Sequence, residues 1–212
     1  MKQKLIILFG APGSGKGYLG DCIKDELAKS GVNDFLYIST GDLLRAEIKQ
    51  QTPLGKKIEQ IVTSGKLVPD SIVSELIMKA LCEPNKIKIL DGYPRTYWQL
   101  DNLSTAADKL DCSIISVKRD TDVALIKERV SKRRVCAVCK STHSSDDGCC
   151  PKCGGESIVR KDDAVIDTRL EEYRSNTEPL WDHITDISEA YLVVDGAIEA
   201  MEVAKDFVKL LL

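Results

Sequence analysis

The sequence lacks any long hydrophobic run. No apolar stretch approaches the roughly 18 consecutive residues that a membrane-spanning helix needs. The first apolar run, Leu5–Phe9, follows two lysines as in a signal peptide, but it is too short and leads into a glycine-rich loop. We therefore expect a first buried strand at this position, no membrane partner, and a cytoplasmic protein.

The sequence also has little excess charge of either sign. It holds 30 Lys and Arg residues against 33 Asp and Glu residues, which gives a net charge of −3 and a pI near 5.5. Long-range attraction of nucleic acid is not expected from such a balance. The 212 residues, 43% of them apolar, suffice for one well-packed domain with small insertions, and we expect a monomer. Positive charge that matters for function must be gathered locally around an anionic substrate.

Five short apolar runs have the length and continuity of strands that are buried on both faces. They are Leu5–Phe9, Phe35–Ile38, Ile87–Leu90, Ile114–Val117 and Leu192–Val194. Helical patterns lie between or after them, at Tyr18–Lys29, Ile72–Leu81, Val123–Arg129 and Ala197–Leu211. This alternation predicts an α/β fold in which a parallel five-stranded sheet is flanked by helices.

Two segments interrupt the alternation. Residues Thr40–Pro69 carry helical patterns without a convincing strand, which indicates a small helical insertion. Residues Lys132–Asp163 are polar and rich in Cys, Gly and Ser, which indicates a flap held together by a metal ion. We therefore expect a single domain over residues 1–212 with insertions at 39–68 and 132–163.

A glycine-rich loop follows the first predicted strand and opens the first predicted helix. Its sequence is Gly10-Ala-Pro-Gly-Ser-Gly-Lys16, the pattern and context of a phosphate-binding P-loop. Glycines allow successive N–H groups to point at phosphate oxygens, and Lys16 can reach the terminal phosphates. The alternative is an ordinary strand-to-helix turn with an exposed lysine. Many P-loops have Ser or Thr directly after the lysine, whereas this loop continues with Gly17 and Tyr18.

Five of the eight cysteines fall within 18 residues. Four of them form two C-x-x-C pairs separated by ten residues, Cys136 with Cys139 and Cys150 with Cys153. Four thiolates in this spacing suit a tetrahedral, structural Zn²⁺ site, and a reducing compartment favours metal over disulfides. Cys149 and His143 are alternative ligands that could replace Cys150.

Seven segments, in this order along the chain, together resemble the adenylate kinase family of nucleoside monophosphate kinases. They are Gly10–Gly17 (GAPGSGKG), Ser39–Arg45 (STGDLLR), Gly65–Asp70 (GKLVPD), Asp91–Thr96 (DGYPRT), Arg133–Cys136 (RRVC), Arg160–Asp163 (RKDD) and Arg169–Tyr173 (RLEEY). The resemblance implies a core sheet, a monophosphate-binding flap at residues 39–68 and a lid at residues 132–163.

The resemblance also implies a role for each matched residue. ATP would be held by Gly13, Ser14, Gly15, Lys16, Gly17, Tyr18, Arg129 and Arg133. AMP would be held by Thr40, Arg45, Lys66, Leu67, Val68, Gly92, Tyr93, Pro94, Arg95, Gln99, Arg160 and Arg169. The residues acting on the transferred phosphoryl group would be Lys16, Arg95, Arg133, Arg160 and Arg169. Taken singly, each arginine could equally be a solvated surface charge, and Gln99 an exposed helix residue.

Asp91 directly follows a predicted strand, at the sheet edge where ligands bind in such folds. We expect its carboxylate to help hold the Mg²⁺ that accompanies ATP, through water, since Mg²⁺ loses its hydration shell reluctantly. The alternative is a strand-end turn formed with Gly92, and both can hold together.

The predicted function is reversible, Mg²⁺-dependent phosphoryl transfer from ATP to AMP, giving two ADP. Such transfer requires alignment and charge neutralisation, for which the planar, always-charged Arg side chain is suited. One alternative is a kinase of another monophosphate, UMP or CMP, on the same fold. A second is a zinc-ribbon module that binds nucleic acid through Lys132–Arg134, although three charges in an acidic chain are a weak basis for it.

Overall fold

The computed structural model describes residues 2–139, 141–144, 148–160 and 163–212. The strands are β1 (Gln3–Phe9), β2 (Phe35–Ser39), β3 (Ile87–Asp91), β4 (Cys112–Asp120), β5 (Arg134–Cys136), β6 (Thr142–His143), β7 (Ser157–Ile158) and β8 (Ala190–Asp195). The α-helices are α1 (Lys16–Lys29), α2 (Thr40–Lys49), α3 (Pro53–Thr63), α4 (Asp70–Leu81), α5 (Tyr97–Lys109), α6 (Val123–Lys132), α7 (Ile166–Glu172), α8 (Leu180–Asp186) and α9 (Ala200–Leu211). A π-helical segment, Tyr173–Thr177, continues α7.

The five long strands form one parallel sheet in the order β2-β3-β1-β4-β8. Each contains one of the predicted apolar runs, so the predicted parallel α/β sheet is confirmed. The expectation that every run is buried on both faces is wrong for the edge strand β8, where Leu192 and Val193 are 36% and 50% exposed and Val194 alone joins the apolar core. In this order the carboxyl ends of β1 and β3 are adjacent, with Leu8 opposite Asp91. The loop after β1 and the carboxylate at the end of β3 therefore meet at one edge of the sheet.

The sheet has an apolar layer on each face. In the central strand β1, Leu5, Ile7 and Phe9 pack with residues of α4, α5 and α8, whereas Ile6 and Leu8 pack with α1 and α9. All five side chains are at most 3% exposed. Complete burial of such side chains contributes about 1.5–3 kcal/mol each, which explains why this run is continuous rather than alternating.

Residues 40–63 form the helices α2 and α3 and no strand, as expected for this segment. Ser39 caps α2 by accepting a hydrogen bond from the Asp42 N–H, and Thr52 caps α3 by accepting one from the Gly55 N–H at 3.0 Å. Such caps satisfy N–H groups that have no partner within the helix. Each helix therefore begins directly after the residue that caps it.

Residues 134–158 contain a small antiparallel sheet in the order β6-β5-β7. Residues 140, 145–147, 161 and 162 of the expected 132–163 insertion lie outside the described residues, and so does the middle of the Arg160–Asp163 motif. The described part is short-stranded and polar. It presents the two C-x-x-C pairs at the turns beside β5.

The last helix begins three residues later than the sequence predicts. The pattern indicates a start at Ala197, but α9 begins at Ala200. Gly196 and Ile198 instead form a loop whose carbonyl oxygens accept hydrogen bonds from the buried Arg119 at 3.0 and 2.7 Å. Those carbonyls therefore face a side chain rather than the next helical turn. No helix within the described residues is both long and apolar enough to span a membrane.

Candidate active site

The glycine-rich loop leaves the start of α1 open for an anion. Gly15, which precedes α1, has φ 90°, a left-handed conformation that favours glycine, and it offers no side chain to cap the helix. The first N–H groups of α1 therefore remain available, and the helix dipole adds partial positive charge. Lys16 lies inside this loop, where its Nζ donates to the Ala11 carbonyl at 3.2 Å.

A single large cleft lies over the loop and the carboxyl edge of the sheet. Its volume is about 1730 Å³. One drug-sized ligand typically occupies about 300–1,000 Å³, so the cleft has room for two nucleotides. Every residue predicted to bind nucleotide lines it except Ser14. Ser14 is buried within the loop, and its hydroxyl has no hydrogen-bond partner in the described part of the chain.

Positive charge is concentrated around Lys16. Burial lowers the pKa of Lys16 from 10.5 to about 8; Asp91 opposes this decrease, and Arg95, Arg169 and Arg133 add to it. Three of the predicted arginines therefore lie close enough to Lys16 to repel its charge. The fold brings these residues together from distant parts of the chain, and all three arginines are half-buried in the cleft rather than fully exposed.

Arg45 and Arg160 lie on the side of the cleft formed by α2. Arg45 Nη2 contacts Asp42 Oδ1 at 2.7 Å. Burial raises the pKa of Asp42, but the hydrogen bond and charge of Arg45, together with the charge of Arg160, hold it below its usual value overall. Arg160, from the Arg160–Asp163 motif, therefore lies near the Ser39–Arg45 motif.

Two cleft arginines are oriented by neighbouring acceptors. Arg95 Nε donates to the Gly92 carbonyl at 2.9 Å, within its own motif. Arg133 Nε donates to Asp163 Oδ2 at 3.0 Å, and its Nη2 makes a second contact to the same carboxylate. Asp163 is only 8% exposed. The ion pair joins residue 133, at the start of the lid segment, to residue 163, at its end. The guanidinium group of Arg133, held by these two contacts, keeps its other N–H groups for phosphate oxygens.

Arg129, predicted to bind ATP, contacts the backbone of the loop. Its Nη1 donates to the Ser14 carbonyl at 3.3 Å and its Nη2 to the Gly196 carbonyl at 2.8 Å. It therefore connects the phosphate loop to the β8–α9 loop while lining the cleft.

The residues predicted to hold the acceptor nucleotide also line the cleft. Thr40 is 3% exposed, and its hydroxyl has no hydrogen-bond partner among the residues that the structure describes. Gln99 is 2% exposed, so it is not the exposed helix residue of the alternative interpretation. Its Oε1 accepts from the Arg95 N–H at 2.8 Å and its Nε2 donates to Asp70 at 2.7 Å. One amide proton and one lone pair remain for a ligand.

Asp91 ends β3 beside the phosphate loop. A Cβ atom built on Gly17 would lie 3.2 Å from Asp91 Oδ2, which shows how closely the carboxylate approaches the start of α1. The same oxygen accepts a hydrogen bond from the Tyr37 hydroxyl at 2.9 Å. Burial and the neighbouring Asp91 carboxylate raise the pKa of Tyr37 well above its usual range.

The four predicted zinc ligands lie together. The Sγ atoms of Cys136, Cys139, Cys150 and Cys153 are all within 4.8 Å of one another, and this group includes neither Cys149 nor His143 among the described residues. The Cys136–Cys153 and Cys139–Cys150 sulfur pairs are 3.5 and 3.7 Å apart. Zinc–sulfur bonds of about 2.3 Å in a tetrahedron place sulfurs about 3.8 Å apart, so the group fits the ion.

Backbone groups support the same cluster. The N–H groups of Val138 and Cys139 donate to Cys136 Sγ at 3.3 Å, and that of Lys152 donates to Cys150 Sγ at 3.4 Å. His143 Nε2 is instead within hydrogen-bond distance of Ser157 Oγ, at 2.7 Å. The arrangement is that of a closed, structural metal site rather than a catalytic one.

Arg119, in β4, was not predicted from the sequence. It is 3% exposed, lines the cleft, and lies beneath the loop, where a Cβ atom on Gly15 would be 3.4 Å from its Nε. Burial and the neighbouring Arg129 lower its pKa. The predicted strand ends at Val117, two residues before Arg119. The one signal in the sequence is that a charged residue follows directly after an apolar run that is expected to be buried on both faces.

Comparisons with known proteins show which sequences this chain is similar to. A family model described as adenylate kinase matches residues 8–189. The chain is 41% identical to an adenylate kinase of Treponema denticola over 189 residues, covering 84% of this chain and 86% of that protein. It is 34% identical to an adenylate kinase of Borreliella burgdorferi over 218 residues, 98% of both chains. A Bacillus licheniformis adenylate kinase is 36% identical over 222 residues, 97% of both chains.

Proposed function

The chain belongs to the adenylate kinase family, and we propose that it transfers the terminal phosphoryl group of Mg²⁺-ATP to AMP, giving two ADP. Membership confirms the resemblance that the seven sequence motifs indicated, and with it the prediction of a phosphotransferase. The relatives described above are named adenylate kinases, which supports AMP over UMP or CMP as the acceptor.

One observation carries the proposal. The phosphate loop and the residues assigned to the acceptor line one cleft, and Arg95, Arg133 and Arg169 lie close enough to Lys16 for their charges to lower its pKa. Phosphoryl transfer needs two polyanions aligned with their charge neutralised, and little covalent chemistry from the protein. The cluster of Lys16 and these three arginines lies where the phosphates of the two nucleotides would meet, so it can neutralise their charge.

The two nucleotides are assigned to opposite sides of this cluster. We assign ATP to the loop residues 13–18 with Arg129 and Arg133, and AMP to the wall formed by Thr40, Arg45, residues 66–68, residues 92–95 and Gln99. Arg95, Arg133, Arg160 and Arg169, together with Lys16, would contact the transferred phosphoryl group. We further propose that residues 39–68 and 132–163 act as the two flaps that exclude water during transfer.

Two metal ions belong to this proposal. Asp91 would hold Mg²⁺ through its water shell, and the ion would neutralise charge on the phosphates. The four cysteines would hold one Zn²⁺ that stabilises the lid without taking part in the chemistry. We also propose a cytoplasmic monomer with no nucleic-acid or membrane partner.

An acceptor panel tests the proposal. Purified protein is given Mg²⁺-ATP with AMP, UMP, CMP or GMP in turn, and nucleoside diphosphate formation is measured. We expect AMP to give the highest kcat/KM by at least about tenfold, because Thr40 and Gln99 offer groups that match adenine. Equal or higher kcat/KM with UMP or CMP would reject AMP as the preferred acceptor. Salt-dependent nucleic-acid binding without any transfer would favour the zinc-ribbon alternative.

We expect one zinc ion per chain, bound by the cysteine cluster. Replacing Cys136 by Ser should remove it, because a tetrahedral site loses a quarter of its ligands. The unfolding midpoint should then fall by about 5 °C or more, since bound metal stabilises only the folded state. Elemental analysis and thermal unfolding measure the two effects.

The matched control for the zinc site is Cys149→Ser. Cys149 is exposed and lies next to a proposed ligand without belonging to the cluster. This variant should keep its zinc and its unfolding midpoint. A native protein without zinc, in which Cys136 and Cys153 are freely alkylated, would disprove the metal site.

Tyr18 occupies a position where the resemblance implies threonine. Its side chain is 49% exposed, and it lines both the cleft and a shallow groove beside Cys22 and Met201. We expect the backbone from Gly13 to Gly17 to bind the phosphates without help from the phenol. Tyr18→Phe should therefore keep kcat/KM for ATP within about twofold, and Tyr18→Thr should raise it modestly.

Steady-state kinetics with ATP and GTP check the Tyr18 prediction. If the phenol contacted the donor nucleotide, Tyr18→Phe would lose activity and change the ratio between the two donors. A large loss with ATP in this variant would contradict our assignment of phosphate binding to the backbone.

A further inference from the structure

Tyr37 contacts the proposed magnesium carboxylate although it belongs to none of the seven motifs. In the paired strands β2 and β3, Tyr37 lies opposite Ile89 and Ser39 lies opposite Asp91. Side chains two residues apart share one face of a sheet, so Tyr37 and Asp91 project toward the same side. Their hydroxyl and carboxylate meet at 2.9 Å.

The position of the Tyr37 ring is fixed by α1. Gly20, in that helix, faces the ring, and a Cβ atom at Gly20 would lie 2.8 Å from the Tyr37 hydroxyl oxygen. The Lys24 ammonium lies over the ring, 4.4 Å from its centroid. The absence of a side chain at Gly20 therefore creates the space that the ring fills. A ring held between strand and helix presents its hydroxyl in one place.

Asp91 has a competing partner. Lys16 is close enough for the charge of Asp91 to raise its pKa. A direct ion pair between these two side chains would withdraw the carboxylate from the metal and the ammonium from the phosphates. The Tyr37 hydrogen bond occupies Oδ2 and so resists rotation of the carboxylate toward the lysine. The charges of Asp21 and Asp42 also raise the pKa of the Tyr37 hydroxyl, which keeps it a hydrogen-bond donor to Asp91.

We propose that Tyr37 is a positioning residue, which orients Asp91 toward the hydrated magnesium ion of the donor nucleotide. The inference rests on the proposed function only in taking Mg²⁺-ATP as the donor, and it does not depend on the acceptor. Although Tyr37 lines the cleft, the role assigned to it requires no direct contact with nucleotide or metal. Its effect passes through one hydrogen bond to Asp91.

The test is ATP binding without acceptor, measured by calorimetry with and without Mg²⁺. The ratio of the two affinities reports the contribution of the metal. Tyr37→Phe keeps the ring in the space beside Gly20 and removes only the hydroxyl. We expect the ratio to fall about threefold to tenfold, the effect of one lost hydrogen bond. Gly20→Ala, which displaces the ring, should lower the ratio in the same direction.

Two controls separate positioning from a general structural effect. Tyr191→Phe makes the same change at a side chain that is 59% exposed, in the edge strand β8, and should leave the ratio unchanged. In an Asp91→Asn background, Tyr37→Phe should have no further effect on the ratio. An unchanged ratio in folded Tyr37→Phe, or an equal loss in the Asp91→Asn background, would overturn the inference. Failure of AMP phosphorylation with these binding results intact would reject the proposed acceptor alone.

Discussion

Replacing Lys16 by Met is expected to lower kcat about a hundredfold or more. The ammonium lies inside the phosphate loop, near the three arginines and Asp91, and it is the cation best placed for the terminal phosphates of ATP. Methionine keeps the length of the side chain and removes its charge. The fold should persist, because removing a buried charge among arginines relieves repulsion. Steady-state kinetics and thermal unfolding measure the two effects.

The control for this change is Lys109→Met. Lys109 lies exposed in the last turn of α5, away from the cleft. Its replacement should leave kcat unchanged. If Lys16→Met were folded and nearly as active as the native protein, the glycine-rich loop would be an ordinary strand-to-helix turn.

Arg95→Ala is expected to lower turnover about a hundredfold and to raise the KM for AMP more than that for ATP. Arg95 belongs to the wall assigned to the acceptor, yet it acts on the charge of Lys16, which places it at the junction of the two nucleotide spaces. The loop around it should stay ordered, because Gln99 binds the backbone N–H of residue 95 rather than its side chain.

Arg174→Ala is the matched control for Arg95. Arg174 is exposed in the π-helical segment and does not line the cleft. Its loss should change neither kcat nor either KM. Near-native turnover in a folded Arg95→Ala protein would show that the motif Asp91–Thr96 has been assigned the wrong role.

The sequence predicts the central part of the fold well because the strands are continuous apolar runs. β1 and β3 are buried on both faces, and a short apolar run without alternation is typical of such a strand. Helix boundaries are less certain where tertiary contacts replace helical hydrogen bonds. The carbonyls of Gly196 and Ile198 bind Arg119, so α9 begins at Ala200 although apolar residues precede it.

The motifs identify residues that face the cleft but not the residues behind them. Arg119 and Tyr37 each hold a neighbouring group in place, through contacts between distant parts of the chain. No short pattern reports such a contact, because its partners come together only when the chain folds. By contrast, the zinc cluster is local, and two C-x-x-C pairs predict its four sulfurs directly.

The most direct test of the account is to give the purified protein Mg²⁺ and ADP alone and to follow the phosphorus NMR spectrum. If the cleft aligns two nucleotides for reversible transfer, ADP alone can occupy both spaces. We expect ATP and AMP to appear in equal amounts, without inorganic phosphate, and Lys16→Met to slow their formation about a hundredfold. Persistence of ADP unchanged, or release of inorganic phosphate in place of ATP, would contradict the account.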